Sequence, residues 1–223
     1  GYMINDYYDV KIDYINRPNA VVVGKGIKRR VILVLHSLFN FIALGLGWAV
    51  APRIAAVIFF AGVLLWWYCN RLKRKPFIGN VAVAFLTGLS IYLVGYYYQK
   101  NELFVFTYAL FAFFLNLIRE LLKDLEDRHG DQLHGSKTLP IVLGFRKTKQ
   151  VIYSIAITFV GAILTVSFQL NHTHLFYYFG GLGLVFCWFM WLIYRADRKE
   201  QFRQLSAFAK AIMLVGTLSM AFF

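Results

Sequence analysis

Seven long apolar runs, separated by short charged connections, leave this chain few folds to choose from. They fall at about 31–50, 54–69, 77–98, 103–118, 151–170, 175–194 and 205–223. Most approach the ~20 residues with which an α-helix crosses ~30 Å of hydrocarbon. A segment in lipid must satisfy its own backbone polar groups, so these runs predict helices. The fold class expected is an all-α, polytopic transmembrane bundle with seven spans, forming a single domain over 1–223. Residues 1–4 read as the last turn of a further helix, and 5–30 as a polar connection. Ala51-Pro52-Arg53 marks a turn, and Tyr96-Tyr97-Tyr98 an aromatic anchor at the membrane interface. Composition agrees, being 59% hydrophobic and only 16% charged, against ~45–50% and ~25% in soluble proteins.

The net charge of +13 would suit nucleic acid if basic residues coated a soluble surface. Instead 22 of the 24 Lys and Arg gather in 1–30, 71–75, 119–149 and 195–210. These are alternate connections and so lie on one side, which the positive-inside rule makes cytoplasmic. Only Arg53 and Lys100 fall opposite, and ten of the eleven acidic residues share the basic side. The expectation is an integral membrane protein of a prokaryotic plasma membrane. Its polar chemistry faces the cytoplasm, its solvent is the bilayer, and it has no nucleic-acid partner.

That chemistry resides in two acidic ladders. Asp6, Asp9 and Asp13 sit at i, i+3 and i+7, and Asp124, Asp127 and Asp131 repeat the spacing. On a helix this spacing stacks side chains along one face. Asn116, Glu120, Asp124, Asp127 and Asp131 form a polar stripe on one helix. Gly130 is expected to end or loosen that helix and leave Asp131 at its lip. Carboxylates crowded at a low-dielectric boundary repel one another and lose hydration. Mg2+ removes that conflict, because it takes oxygen ligands and bridges one or two carboxylates to substrate phosphates. Asn5 lies one turn before Asp9 and adds a neutral amide oxygen. A solvated helix end with local ion pairs is the plainer account of either ladder alone.

Arg17, Lys73, Arg74 and Lys137 flank the ladders, and Arg17, Lys73 and Lys137 are assigned to diphosphate contact. Lys75, Arg146, Lys147 and Lys149 are read as topology signals. Cys69 and Cys187 lie in or beside apolar runs and read as packing. Trp66-Trp67-Tyr68, Phe111, Phe113 and Phe114 either line a prenyl tunnel or simply pack. Gly180-Gly181-Leu182-Gly183 most simply permits a close helix contact.

Asn5-Asp6-x-x-Asp9-x-x-x-Asp13 with Asn16-Arg17-Pro18 resembles the first motif of the UbiA superfamily of intramembrane prenyltransferases. Arg119 to Asp127, with Gly130-Asp131 and Lys137-Thr138-Leu139-Pro140, resembles the second, and Tyr68 to Arg74 with Gly79-Asn80 the segment between them. The resemblance implies nine spans, with these seven as the third to ninth. The first helix and most of the second would then precede Gly1. It also implies Mg2+-dependent transfer from an isoprenyl diphosphate donor to a lipid or aromatic acceptor. Asn5, Asp9, Asp127 and Asp131 would hold Mg2+, supported by Asp6, Asp13 and Asp124. Lys73, Arg17, Lys137 and Arg74 would hold the diphosphate. Tyr68 matches a tyrosine near the reacting centre, and Cys69 stands where the family often has serine.

The wording of the second motif is most similar to the branch that prenylates geranylgeranylglyceryl phosphate. An aromatic acceptor of the homogentisate, chlorophyllide or quinone-precursor type comes next. A cation transporter would want ionisable groups at mid-membrane, whereas these carboxylates cluster at one edge. The compact motif of a phosphatidyl-alcohol transferase is not found.

Overall fold

The computed structural model describes residues 1–16, 19, 21–98, 102–170 and 173–221. Apart from one isolated bridge, Val23–Ile27, the regular structure among them is helical. The helices group into two compact units.

The first unit comprises Gly1–Gly79 with His129–Thr138. It contains α1 (Tyr2–Asn16), α2 (Arg29–Val50), α3 (Pro52–Asn70) and a 3-10 turn, Leu72–Arg74. Here the sequence reading is corrected, because the first acidic stretch is not part of a connection. Helix α1 continues through it to Asn16, with Ile4 and Ile12, two turns apart, buried together with Asp9. Helix α1 packs on α2 and α3, which pack along each other. Pro52 opens α3 at a position where its missing N–H costs nothing. Arg29 ties α2 to α1, donating from Nη2 to the Tyr7 carbonyl at 3.1 Å with its guanidinium 4.9 Å from the Tyr7 ring.

The second unit comprises Asn80–Arg128 and Leu139–Phe223. It holds α4 (Ile78–Tyr98) from Asn80 onward and α5 (Glu102–Leu133) as far as Arg128. The four-residue α6 (Leu139–Val142), α7 (Phe145–Leu170), α8 (Thr173–Arg195), α9 (Lys199–Leu218) and the 3-10 turn Ser219–Ala221 follow. Tyr108, Phe111, Leu115, Ile118 and Leu122 of α5 are buried. Phe111 lies 5.7 Å from Phe159 of α7, which lies 5.1 Å from Phe186 of α8. These tilted ring contacts bind the helices by dispersion, since lipid removes most of the hydrophobic drive between spans.

At 32 residues α5 is ~48 Å long at 1.5 Å per residue, well over the ~30 Å of hydrocarbon. It therefore carries the second ladder out of the apolar zone on one continuous helix. Gly130 does not end it. A lone glycine costs a helix only about 1 kcal/mol, and α5 runs on to Leu133. Its end comes at Gly135, whose φ of 70° suits the left-handed cap.

Six helices among the described residues are long and apolar enough to span a membrane, α2, α3, α4, α5, α7 and α8. The seventh expected span falls on α9, whose first turns carry Lys199, Glu200, Gln201, Arg203 and Gln204, with Lys210 beyond. The polytopic all-α class stands, with six of the seven expected spans long and apolar enough among the described residues. A Cβ on Gly180, Gly181 or Gly183 would meet nothing within 4 Å among the described residues, so the close contact that this pattern permits is not made there. Phe111 packs in the core, while Trp66 and Trp67 are about half exposed.

Close approach does occur where α4 meets α5. A Cβ on Gly88 would lie 2.9 Å from the Ala109 carbonyl oxygen, and one on Gly95 2.4 Å from Val105. Because the obstacle at Gly88 is backbone, Gly88→Val should destabilise the unit by about 1–3 kcal/mol. A thermal melt in detergent that left the midpoint unchanged would count against this packing.

Candidate functional site

In the first unit the ladder residues of α1 do not behave alike. Asp9 is buried at 5% exposure, Asn5 and Asp13 are partly buried, and Asp6 is exposed. With 100° per residue, Asn5 and Asp9 lie close together on the helix surface, and Asp6 lies well round from Asn5. The pair that converges is thus Asn5 with Asp9.

They converge on Lys73. Its ammonium donates to Asn5 Oδ1 at 3.1 Å and forms a hydrogen-bonded ion pair with Asp9 Oδ2. The ammonium end is enclosed, although 24% of the side chain stays exposed. Burial alone would lower its pKa, but the charge and hydrogen bond of Asp9, then the charges of Asp131 and Asp13, prevail and raise it above 10.5. Asp131 belongs to the second acidic motif and is itself buried. The first unit therefore brings together residues from both motifs around one lysine.

The local backbone explains how Lys73 reaches this position. It stands in the 3-10 turn after α3, and Gly79 holds that turn from the other side. A Cβ on Gly79 would lie 2.8 Å from the Leu72 carbonyl oxygen and 3.1 Å from Lys73 Cα. Between them the chain passes through Phe77 at φ 66°, a region costing a non-glycine residue ~1–2 kcal/mol. The Lys137 N–H donates to the Arg74 carbonyl at 2.9 Å. This bond fastens the segment after the second ladder to the turn. Gly79 entered the sequence reading only as part of a motif, and this close contact is the role that reading missed. The Lys137 and Arg74 side chains are exposed, as diphosphate-facing cations would be. Tyr68, five residues before Lys73, is buried near the end of α3 beside Cys69. Arg17 lies outside the described residues.

In the second unit the upper part of the second motif forms a polar seam between α4 and α5. Asn80 Nδ2 donates to Asp124 Oδ2 at 2.8 Å, and Asn116 Nδ2 to Thr87 Oγ1 at 2.8 Å. Arg119 Nη1 reaches Glu120 Oε1 at 2.7 Å and Asn116 Oδ1 at 3.1 Å. Asp127 is partly buried. It stands one turn before Asp131 on α5, so helix geometry puts both on one side of that helix.

Among the described residues no three His, Cys, Asp or Glu side chains gather closely enough to form a metal-holding group. Mg2+ seldom asks for such a cage, keeping waters and using substrate phosphates beside one or two carboxylates. Asn5 Oδ1 and Asp9 Oδ2, hard oxygens already directed at one cation, fit that requirement.

The raised pKa gives a signed expectation. Lys73 contributes stability fully below pH 10.5, and that contribution is lost as pH rises through its folded-state value. The difference in melting temperature between wild type and K73M should therefore hold steady from pH 7 to about 10 and shrink above that. A difference that shrank between pH 7 and 9 would contradict the charged pair.

Comparison with known proteins gives a family match. The model of the UbiA prenyltransferase family matches residues 1–215. Digeranylgeranylglyceryl phosphate synthase of Methanosphaera stadtmanae is 30% identical over 99% of this chain and 81% of its own length. Proteins of the same name from Thermococcus sibiricus and Thermococcus gammatolerans are 38% and 43% identical. The alignments span 74% and 68% of this chain but only 60% and 54% of those relatives. A solved structure concerned with the biosynthesis of digeranylgeranylglyceryl phosphate synthase in membranes superimposes with a TM-score of 0.74 at 25% identity. The match covers 97% of this chain and 77% of that one.

Proposed function

The chain belongs to the UbiA prenyltransferase family, whose members transfer prenyl groups, and from that premise we propose its reaction. It is an integral membrane enzyme that moves a prenyl group from an isoprenyl diphosphate to a glycerophosphate ether lipid precursor, the geranylgeranylglyceryl phosphate type. The observation that carries this reading is the pairing of Asn5 and Asp9 with Lys73, within reach of the Asp131 charge. It assembles oxygen donors and a cation from three separate stretches, as a diphosphate with a divalent ion requires. The relatives' names supply the acceptor class.

The residues divide the work as follows. Asn5, Asp9, Asp127 and Asp131 would hold Mg2+, with Asp6, Asp13 and Asp124 supporting, and residues 1–223 would form one prenyltransferase domain. A bound Mg2+ would offset charge on the diphosphate. Lys73, Lys137, Arg74 and Arg17 hold the diphosphate and stabilise the charge it gains as the allylic carbon–oxygen bond breaks. The bonding electrons leave with the diphosphate. The acceptor hydroxyl forms the new carbon–oxygen bond and gives up its proton. Tyr68, buried and aromatic, stands near the electron-poor allylic carbon, where a ring face is favourable. The basic connections set these groups on the cytoplasmic side.

Membranes carrying Asp9→Asn or Asp127→Asn, given radiolabelled geranylgeranyl diphosphate and geranylgeranylglyceryl phosphate, should lose about 100-fold or more in turnover. Near-wild-type turnover in both variants overturns the reading. A wild type that labels homogentisate and ignores the glycerophosphate instead moves the chain to the aromatic-acceptor branch.

A further inference from the structure

The Lys73 ammonium is directed at the same two oxygens that the proposed function assigns to a metal, Asn5 Oδ1 and Asp9 Oδ2. Both cations cannot occupy one point. A buried Asp9 carboxylate needs a positive partner when no substrate is bound, because an isolated buried charge is heavily penalised. Lysine suits the task, being a compact charge on a flexible four-carbon stem. Arg74, next in the chain, is exposed. The backbone beneath Lys73 is held by Gly79 and by the Lys137–Arg74 bond, so the ammonium can swing while its anchor stays fixed.

We propose that Lys73 is a built-in placeholder cation, occupying the Asn5–Asp9 oxygens in the resting protein and yielding them to a divalent ion only when a diphosphate arrives to receive its ammonium. The proposal rests on the metal-site reading above and adds a consequence to it. Metal alone binds weakly, because it must displace the ammonium from its ion pair with Asp9 while no diphosphate is there to receive it. Diphosphate supplies that acceptor, so metal and diphosphate bind cooperatively. The resting protein is thereby kept from holding a divalent ion without a substrate.

The test titrates Mn2+, read by electron paramagnetic resonance, into the full chain in detergent, with and without inorganic pyrophosphate. Wild type, K73M, K73Q, K73R and D9N are compared, each checked by its thermal melt. Wild type binds Mn2+ alone weakly and tightens with pyrophosphate. K73M, with the competing charge removed, binds Mn2+ alone about tenfold or more tightly and gains little from pyrophosphate, while K73R follows the wild type. Should K73M fail to fold, K73Q, which keeps a hydrogen-bonding group without the charge, carries the same expectation. Equal or weaker Mn2+ binding in the charge-free variant, with D9N lowering binding, sinks the placeholder and leaves the metal site standing. Unchanged binding in D9N sinks the metal site and the placeholder together.

Discussion

The arrangement of the first unit depends on neutralising the Asp9 carboxylate. Asp9 is buried at 5% exposure on a helix that must also present Ile4 and Ile12 inward. An unpaired carboxylate in such a place is heavily penalised. Lys73 supplies the opposite charge, and its own burial is tolerable because Asp9, Asp131 and Asp13 surround it with opposite charge. Each partner makes the other's position possible. The 3-10 turn, the glycine beneath it and the strained backbone at Phe77 then read as the means of bringing one ammonium to one carboxylate. A pair of this kind adds little net stability, but breaking it by removing one partner is expensive. Such a pair suits a site that must stay charged and ready.

In the second unit polar groups on α5 are paired by hydrogen bonds. Helix α5 carries Asn116, Arg119, Glu120 and Asp124 along a length otherwise crowded with Leu, Ile and Phe. Each of these four makes a hydrogen bond, to α4 or to a neighbour on α5. The contact is close because Gly88 and Gly95 remove the side chains that would hold α4 away. Small residues and buried polar groups are thus complementary parts of one design, since the first bring the helices near enough for the second to pair.

The helices were legible because lipid imposes a length and a composition that few sequences meet by chance. The acidic ladders were legible because helical spacing converts directly into proximity along one face. Geometry in the turns was harder to read. Nothing in Lys73-Arg74-Lys75 distinguishes the lysine that turns inward from the neighbours that stay in solvent. That choice depends on Gly79, whose missing Cβ leaves room for the turn. Gly130 misled for the opposite reason: a glycine within a well-packed helix costs too little to stop it, whereas Gly135, at positive φ, ends it. The run at 205–223 begins inside α9, whose first turns are rich in Lys, Arg and Gln. Gly180, Gly181 and Gly183 show that a small-residue pattern permits a close contact without creating one.

The two ladders share a spacing, and spacing alone would make them equivalent. Their surroundings make them different. In the first, Asn5 and Asp9 turn to the Lys73 ammonium, while Asp6 is exposed. In the second, Asp124 is bonded to Asn80, a fixed amide with no charge to give up. An oxygen held by an amide is positioned; an oxygen held by a lysine is positioned and also electrically balanced, so releasing it changes the local charge. Asp131 stands apart from Asp124 in that its charge reaches Lys73. Within one motif, therefore, the residue nearer the middle of α5 serves the packing of helices, and the residue in its last turn belongs to the charge balance that chemistry would disturb. Equal spacing gives both carboxylates the same direction on the helix, and the partners supplied by the rest of the chain give them different work.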